Sequence, residues 1–332
     1  MQAGIGEVLV DESSVGSMLK FLGAGATGSI LMALGPRPLR TKKLTERVPT
    51  YAPRTVYRHT RALCDLGVVD RQETAGVPSA VIHSLSDPAG RELFRLLDAY
   101  AVVAHSRLAA PRNGDGTWAS IGLIGEMWES GWMNELSLGG RSATDLSEAT
   151  PGLTFHQTSR RTQQMISWDL LSKSAGQRKR YHLTDQARRG MALIAGVGRW
   201  RQRHTPGDEH GLTALEMAVV LRTCLPLVEL PEHPGMNIKL GIVGAPNELG
   251  EHGSETLSGN VGMNGSVRSV RDKSQPDSWA LCSVDAWFAA ILDGNRGRMR
   301  VGGDLDLVDS CLKQLYDVLW TAPAELPLAT LN

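Results

Sequence analysis

The alternation of apolar and polar positions is repeated along the chain at an offset of 102 residues. Beyond Val69 the second copy is four residues shorter, and an offset of 98 then aligns Leu85 with Leu183. Fixed-period similarity marks repeated supersecondary units, and surface loops between strands tolerate a change in length. The pattern therefore predicts two copies of one small domain. Aligned pairs include Leu34 and Leu136, Leu44 and Leu146, Glu46 and Glu148, Pro49 and Pro151, and Arg58 and Arg160.

Each copy is predicted to contain three helices, a β-hairpin and a further helix. In the first copy proline suits the start of the third helix, and Gly67 suits its end. Short strands separated by turn residues indicate the hairpin. The predicted elements are helices closing over Gly28–Ala33, at Thr41–Val48, and from Pro53 to Gly67, strands at 68–71 and 80–85, and a helix from Ser86 to about Ala101.

The second copy repeats this order. Thr154 is predicted to cap the third helix, because a threonine hydroxyl accepts a hydrogen bond from the first free backbone N–H groups. Thr184 and Asp185 are predicted to open one continuous last helix. The elements are the helix Phe155–Trp168, strands at 170–173 and 180–183, and the helix reaching about His204.

Two motif pairs resemble HxlR-type winged helix-turn-helix regulators. They are LTERVPTYAPRTVYRHTRALCDLGVVDRQ with HSLSDPAGREL, and ATDLSEATPGLTFHQTSRRTQQMISWDLLSK with KRYHLTDQARRG. The resemblance covers about residues 20–105 and 120–204, and it implies a winged helix in each copy with double-stranded DNA as the partner. Ala52 departs from the usual Ser or Thr cap, and Trp168-Asp169 departs from the usual Leu-Gly. Because such proteins usually pair as homodimers with one winged helix per chain, two copies imply a monomeric pseudo-dimer reading two half-sites, with a homodimer as the alternative.

Arg54, Arg58 and Arg61 are spaced to share one face of the third helix, opposite Val56 and Leu63. Arginine on such a face can bind guanine edges in the major groove, and basic wing residues suit phosphate. The predicted DNA-contacting residues are Lys42, Lys43, Arg54, Thr55, Arg58, Arg61 and Arg71 in the first copy and His156, Gln157, Ser159, Arg160, Arg161, Gln163, Lys173, Arg178 and Lys179 in the second.

Two further pairs of aligned or nearly aligned residues are predicted not to contact DNA bases. Thr60 and Thr162 are predicted to pack inside the helices rather than to contact bases. His83 and His182 are predicted to be solvent-facing strand residues in the two hairpins.

The formal net charge of the 332 residues is zero, but the charge is unevenly distributed. Residues 206–332 hold 9 Lys and Arg against 17 Asp and Glu, whereas residues 1–205 hold 26 against 18. A basic region joined to an acidic one is typical of proteins that bind nucleic acid through one part of the chain. The charge pattern therefore agrees with DNA binding by the repeated region.

The remaining third of the chain has a different pattern. Its predicted elements are a helix at 212–225, strands at 236–243, 259–270 and 279–283, a loop at 245–256, and helices at 284–292 and 304–320. The segment DGNRGRMRVGGDLDLVDSCLKQLYDVL resembles the end of sterol-carrier-protein domains, which implies an apolar tunnel and a small apolar ligand. Oligomerisation is the alternative role. The predicted ligand-lining residues are Leu281, Trp287, Phe288, Ile291, Met299 and Val301.

Enzyme motifs are not found in the sequence: there is no G-x-S-x-G, no H-E-x-x-H, no Walker loop and no C-x-x-C. The letters of Gly23–Gly28 match a dinucleotide-binding fingerprint, but they follow a helix-like segment rather than a strand. No apolar run is long enough to cross a membrane, and Met1–Val10 does not have the pattern of a secretory signal. We expect a cytoplasmic protein without membrane association, catalytic residues, metal or cofactor.

Together these patterns predict an α+β chain with a winged-helix domain at 1–108, a second at 109–205 and a sterol-carrier-like ligand-binding domain at 206–332. The segment Ala109–Gly116 is predicted to be a flexible linker. The predicted function is a sequence-specific transcriptional regulator, a repressor, that responds to a small apolar ligand. The alternatives are a resistance protein that sequesters a drug or natural product, and a DNA-modifying enzyme, such as a base-excision glycosylase, built on tandem winged helices.

Overall fold

The computed structural model describes residues 14–75, 80–105, 115–175, 179–205, 211–246, 252–270 and 275–320. They form two compact units, and each is a mixture of helices and strands. One unit comprises residues 1–126 with 200–210, and the other comprises residues 127–199 with 211–332. The three predicted segments divide the chain at residues 108 and 205 instead, and that division stays a prediction.

The first unit contains a three-stranded antiparallel sheet and five complete helices in the described residues. The sheet order is β1-β3-β2, and the β2–β3 hairpin pairs Val69 with Leu85 and Arg71 with His83. The elements are α1 (Val15–Gly23), α2 (Gly25–Leu34), β1 (Leu39–Arg40), α3 (Thr41–Arg47), α4 (Pro53–Asp65), β2 (Val69–Thr74), β3 (Ala80–Leu85), α5 (Ala89–His105) and α6 (Asp115–Glu129), whose last residues belong to the second unit.

Most of the predicted elements of the first copy are confirmed. Proline occupies the first turn of α4, and Gly67 follows its end with a φ of +66°, a left-handed conformation that glycine adopts without strain. The predicted linker is wrong at Asp115 and Gly116, which open α6. Residues 109–114 of that linker lie outside the described residues.

Two glycines, one at the end of α1 and one within α2, have a packing role. A Cβ on Gly28 would lie 2.2 Å from the Trp118 ring, and one on Gly23 would lie 2.2 Å from the backbone of Gly122. The glycines therefore allow α6 to approach α1 and α2 closely, as required for the buried core around Trp118. Close helix packing therefore explains the glycines of Gly23–Gly28, and a bound dinucleotide is not needed to explain them.

None of the described helices is by itself long and apolar enough to span a membrane. By length and composition alone, α1 and α2 taken together are long and apolar enough to cross a membrane, but the chain bends by 78° between them.

The second unit begins with the helices and the hairpin of the second copy. Apart from β1, whose place is taken by an isolated bridge between Arg141 and Tyr181, their order matches that of α2 to α5, including a β-hairpin directly after the third helix. The elements are α7 (Trp132–Ser137), α8 (Ala143–Glu148), α9 (Phe155–Ser167), β4 (Leu171–Lys173), β5 (Tyr181–Leu183), α10 (Asp185–Arg189) and α11 (Met191–His204), of which residues 200–204 belong to the first unit.

The predicted caps of this copy are confirmed. Thr154 Oγ1 accepts a hydrogen bond from the Gln157 backbone N–H, and the Gln157 side chain accepts one from the Thr154 backbone N–H. Thr184 Oγ1 likewise accepts from the Ala187 N–H. The prediction of one continuous last helix is wrong, because the chain is interrupted at Gly190 and forms α10 and α11.

The rest of the second unit is a five-stranded sheet with three helices. Its strand order is β10-β9-β6-β7-β8; β6 and β9 are parallel and the other pairs are antiparallel. The elements are α12 (Ala214–Cys224), a 3-10 helix (Leu225–Leu227), β6 (Asn237–Pro246), β7 (His252–Val261), β8 (Val267–Val270), β9 (Ser278–Ser283), α13 (Val284–Asp293), β10 (Arg300–Gly303) and α14 (Leu305–Trp320).

Two predictions for this sheet are corrected. The loop predicted at 245–256 is wrong at both ends, since β6 reaches Pro246 and β7 starts at His252, and residues 247–251 lie outside the described residues. The strand predicted at 259–270 is two strands, β7 and β8, joined by a tight turn in which Gly265 has a φ of +83°. Glycine supplies the left-handed conformation that this turn requires.

The six predicted ligand-lining residues lie in different environments. Trp287, Phe288 and Ile291 are fully buried core residues, and the Trp287 indole donates a hydrogen bond to the Gly241 carbonyl (3.0 Å). Strand alternation places Leu281 on the face of β9 opposite the buried Ala280. Met299 is half-buried and Val301 is exposed on β10. The six residues do not share one face, so their common tunnel stays a prediction.

Candidate nucleic-acid interface

The helix α4 presents a continuous basic face. Arg54, Arg58 and Arg61 are all exposed, with 86% of the Arg61 side chain accessible, and Tyr57 is 57% exposed beside them. The opposite face buries Val56 and Leu63 completely or nearly so. The helix is thus amphipathic, with arginine outward and aliphatic side chains inward, as the spacing predicts.

His59 fixes α4 to the helix beneath it. Its Nδ1 lies 2.8 Å from the Thr27 hydroxyl on α2, and its ring stacks on Phe21 with the centroids 5.9 Å apart. Burial lowers the pKa of His59, and the positive charge of Arg58 lowers it further. His59 is therefore a neutral packing residue that orients the arginine face. Thr60 is also buried, as predicted.

The hairpin beside α4 carries Arg71 on its exposed strand. Arg71 pairs with Glu73 (2.5 Å), and both side chains are more than half accessible, so the pair competes weakly with any other partner. The prediction that His83 faces solvent is wrong: His83 is only 5% exposed, and its Nε2 lies 3.2 Å from the Thr41 hydroxyl. The β1 strand makes the difference, because it pairs with β3 at Leu39 and His83 and so covers that side of the hairpin.

A cleft of about 870 Å³ lies between α4 and the hairpin. Its lining combines the arginine face, the wing arginine and several uncharged polar side chains. The lining residues are Thr41, Arg54, Thr55, Tyr57, Arg58, Thr60, Arg61, Cys64, Asp65, Arg71, Val81 and His83. Burial raises the pKa of the Cys64 thiol, so this cysteine is protonated at neutral pH.

A further cleft, of about 560 Å³, is strongly basic. It brings together Arg37, Arg40, Lys43 and Arg47 around α3, with Glu46 bound to Lys43 (2.7 Å). Of these residues only Lys43 is among the predicted DNA contacts, and the predicted Lys42 is exposed nearby. The signal was present in RPLRTKKLTER, where five of eleven residues are basic.

The predicted residues of the second copy are placed on α9 and beside the β4–β5 hairpin. His156, Arg160 and Gln163 are exposed on α9, whereas Ser159 and Arg161 are partly buried. The Gln157 side chain is engaged in the cap. Lys173 and Lys179 are exposed, and Arg178 lies outside the described residues. His182 is exposed, as predicted, and Thr162 is buried.

A match to known proteins is found for the first copy. Residues 22–109 match the family model described as HxlR-like helix-turn-helix, which is about a quarter of the chain. The matched range contains α4, the basic clefts and the wing. Residues 22–109 form a winged HxlR-like helix-turn-helix domain.

Solved structures also give a match to the chain, whereas curated proteins give none. A solved structure that resembles the chain is the crystal structure of diamide-treated YodB from B. subtilis, with 27% identity over 26% of this chain and 87% of that chain and a TM-score of 0.23. No curated protein matches the chain.

Among the described residues, no group of three or more His, Cys, Asp and Glu side chains is arranged to hold a metal ion. The absence of enzymatic activity, of metal and of cofactor stays an expectation.

Proposed function

We propose that the protein is a sequence-specific DNA-binding transcriptional regulator in which α4 is a recognition helix. The observation that carries the proposal is the exposed face of Arg54, Arg58 and Arg61 on the third helix of the HxlR-like domain. The match to a helix-turn-helix family supports DNA as the partner. Arginine at the centre of such a helix forms bidentate hydrogen bonds to guanine in the major groove.

The neighbouring basic residues suit phosphate contacts. Arg40, Lys42 and Arg47 are exposed around α3, and Arg71 is exposed on the wing. Phosphate contacts fix the register of a protein on the duplex, whereas base contacts specify the sequence. We assign Arg58 to base recognition, and we assign the α3 and wing residues to contacts with the phosphate backbone of DNA.

We further propose that α7–α10 with the β4–β5 hairpin form a second winged helix. The same element order, the capped α9 and the aligned buried pair Thr60 and Thr162 support this proposal. His156, Arg160 and Gln163 would contact a second half-site, and Lys173 and Lys179 would contact phosphate. One chain would then act as a pseudo-dimer on a two-part operator.

Repression and a response to a ligand complete the proposed function. A protein that occupies a two-part operator blocks access to that DNA, which favours repression. The acidic C-terminal third is proposed as the ligand-binding part, in line with its resemblance to sterol-carrier proteins. A ligand would act by binding one arrangement of the chain more tightly than another.

The test is binding of the purified full chain to a labelled fragment of its own upstream DNA, at several salt concentrations and with excess competitor DNA. The proposal predicts binding that resists competitor and weakens steeply with salt, because each neutralised phosphate releases counterions. The double variant R58A/R160A is expected to lose at least tenfold in affinity, an order-of-magnitude figure from the worth of one bidentate base contact.

The matched control is R95A/K313A, which removes the same charge from two exposed residues outside the proposed interface. It should bind the fragment as the unmodified chain does. Equal losses in the two double variants, or binding of equal strength to any DNA, would contradict the assignment of the recognition helices.

A further inference from the structure

The five-stranded sheet of the second unit has one covered side and one accessible side. Helices α12, α13 and α14 contact its strands, and the inward residues Ile238, Leu240 and Ala280 are at most 1% exposed. Successive side chains of a strand point to opposite faces, so the residues between these point away from that core. We call this second side the open face, and it carries Asn237, Lys239, Asn260, Arg268, Trp279 and Arg300.

An aromatic ring lies near one edge of the open face. Trp279 on β9 pairs with Gly302 on the edge strand β10, and a Cβ on Gly302 would lie 2.6 Å from the indole ring. The glycine therefore allows the ring to lie against β10, where a larger residue would displace it. Trp279 is nevertheless 39% exposed. An accessible aromatic ring on a sheet is a surface on which an unpaired nucleic-acid base can stack.

Three cations accompany this ring. Lys239 is the register partner of Trp279 on β6, Arg300 lies on β10, and Arg268 lies on the opposite edge strand, β8. All three side chains belong to exposed residues, and none of them forms an ion pair within the part of the chain that the structure describes. They are therefore available to an anionic partner.

Acidic residues are kept away from the open face. Glu255 is the one acidic residue in the five described strands, and it pairs with the buried Ile242, which places it on the covered side. Asp277 precedes β9, and its carboxylate accepts a hydrogen bond from the Asn237 backbone N–H (2.7 Å). The open face is thus positive, although residues 206–332 hold 9 Lys and Arg against 17 Asp and Glu. Charge complementarity favours a polyanion as the partner.

The extent of the positive charge favours a chain of phosphates over a single one. Arg300 and Arg268 lie on the two edge strands, four strand spacings apart, which is about 19 Å. Several consecutive nucleotides cover such a length. Between the cations the face is polar, with the Asn260 side-chain amide donating to Asn237 Oδ1 (2.9 Å). Amide groups suit the hydrogen-bonding edges of bases better than they suit lipid chains.

We propose that the open face binds single-stranded nucleic acid, with a base stacked on Trp279 and the phosphates close to Lys239, Arg268 and Arg300. The bases of a duplex stack on one another, so their faces are not free to meet the indole ring. The site therefore selects single strands. It goes beyond the proposed function and does not rest on it, because none of these residues belongs to either winged helix.

The experiment is fluorescence anisotropy of the full-length chain with a labelled oligo(dT) of about 12 nucleotides, within the usual range of single-strand sites. Excess unlabelled duplex is present to occupy the winged helices. The matched ligand is an abasic oligomer with the same number of phosphates. We expect oligo(dT) to bind at least about fivefold more tightly than the abasic oligomer, the lower end of the worth of one stacked base. This comparison uses the unmodified chain and is independent of any variant's folding.

The variant W279A should weaken oligo(dT) binding at least about fivefold and leave abasic binding unchanged, because it removes the stacking surface alone. W279F retains an aromatic ring and should bind oligo(dT) with intermediate affinity. Circular dichroism checks that both variants fold. The matched control is L215A, which removes another exposed apolar side chain (55% exposed) from α12, on the covered side of the sheet. It should bind as the unmodified chain does.

The cations are tested by salt dependence. Each phosphate contact on a single strand contributes about 0.7 to the slope of log affinity against log salt, so K239A/R300A should reduce that slope by about 1.4. W279A should leave the slope unchanged. The control R95A/K313A removes the same charge from exposed residues outside the open face and should also leave it unchanged.

Three results would overturn the proposal: equal binding of oligo(dT) and the abasic oligomer, equal effects of W279A and L215A, or an unchanged slope in K239A/R300A. Binding of phosphatidylserine vesicles or poly-glutamate that depends on Trp279 more than oligo(dT) binding does would also overturn it, and would assign the face to a membrane or an acidic protein. Duplex binding is measured separately, and W279A should not change it. If duplex binding is absent but oligo(dT) binding depends on Trp279, the proposed function fails and the open face stands.

Discussion

The helices α4 and α9 occupy the same place in the two copies and have the same length of 13 residues, but they present different chemistry. The buried positions are kept, since Thr60 and Leu63 align with the buried Thr162 and Met165. The exposed positions diverge: α4 has three exposed arginines, whereas α9 has Arg160 among histidine and glutamines. The buried side chains hold each helix in place, whereas the exposed side chains differ and so suit different binding partners.

The two helices also begin differently. No side chain caps α4 at Ala52, and its start depends on the fixed φ of Pro53. By contrast, Thr154 and Gln157 form a reciprocal capping box on α9. The glutamine that the sequence suggests for base contact is engaged in holding the helix start. Stability and recognition therefore compete for Gln157, and α4 has no such conflict.

The helices that precede α4 and α9 in the chain also differ in charge. In α3 the residues Lys42, Lys43 and Arg47 surround one acid, whereas α8 carries Asp145 and Glu148 without a basic residue. DNA affinity should thus be concentrated in the first copy, with the second copy adding sequence selectivity through polar groups.

The largest effect that tests this comparison is on DNA affinity. We expect R58A to cost about 1–3 kcal/mol, the usual worth of a bidentate base contact, and R160A to cost clearly less. Fluorescence anisotropy with the operator fragment measures both, with R95A as the control for loss of one exposed charge. Equal costs for R58A and R160A would show that the two helices contribute alike.

The sequence predicts helix and strand positions well wherever the signal is local. Pro53 and Gly67 predict the limits of α4, and Thr154 predicts the start of α9, because capping and turn chemistry act within a few residues. The arginine face follows from helical spacing alone. The same local rules missed the break at Gly190, because an isolated glycine does not necessarily end a helix.

Features that depend on distant residues could not be predicted. His83 looks like a solvent-facing strand residue in its own hairpin, and it is buried because the short strand β1, more than 40 residues earlier, pairs along β3. The basic cleft around Arg40 and Arg47 is different, because its residues are contiguous in RPLRTKKLTER and it was missed although its signal is local. The six residues of the C-terminal third are apolar, but strand alternation and helix packing give them different faces.

The next largest effect is on helix stability. Removing the Thr154 cap in T154A should cost about 1 kcal/mol in the second copy, because N-terminal N–H groups of α9 lose their acceptor. The reverse change, A52S, should stabilise the first copy by about 0.5–1 kcal/mol. Hydrogen exchange at the first turns of α9 and α4 reports each change locally.

T45A controls for a lost hydroxyl that lies within a helix, since Thr45 donates to the Thr41 carbonyl and caps nothing. Faster exchange in α4 of A52S, or no change in α9 of T154A, would contradict the view that the two helices start by different means.

The smallest effect concerns pH. Burial is the main cause that lowers the pKa of His59 and His83 below the ordinary 6.5. With the folded pKa below the unfolded one, the unfolded chain gains protons first, so stability is retained above about pH 6.5 and lost as pH falls below it. The aligned positions of the second copy hold Arg161 and Tyr181 rather than histidine. Between pH 7.5 and 5.5 we therefore expect only the first copy to lose stability.

Hydrogen exchange, corrected for the intrinsic pH dependence of the amide reaction, distinguishes the copies in one sample. Protection in α4 should fall towards pH 5.5 while protection in α9 is maintained. H59Q keeps a polar group beside Thr27 but does not titrate, so it should flatten part of the α4 response, and His83 should account for the remainder. H182Q, at an exposed position of the other hairpin, should leave the response unchanged. A parallel loss of protection in α9 would mean that the acid response belongs to the whole chain and not to the two buried histidines.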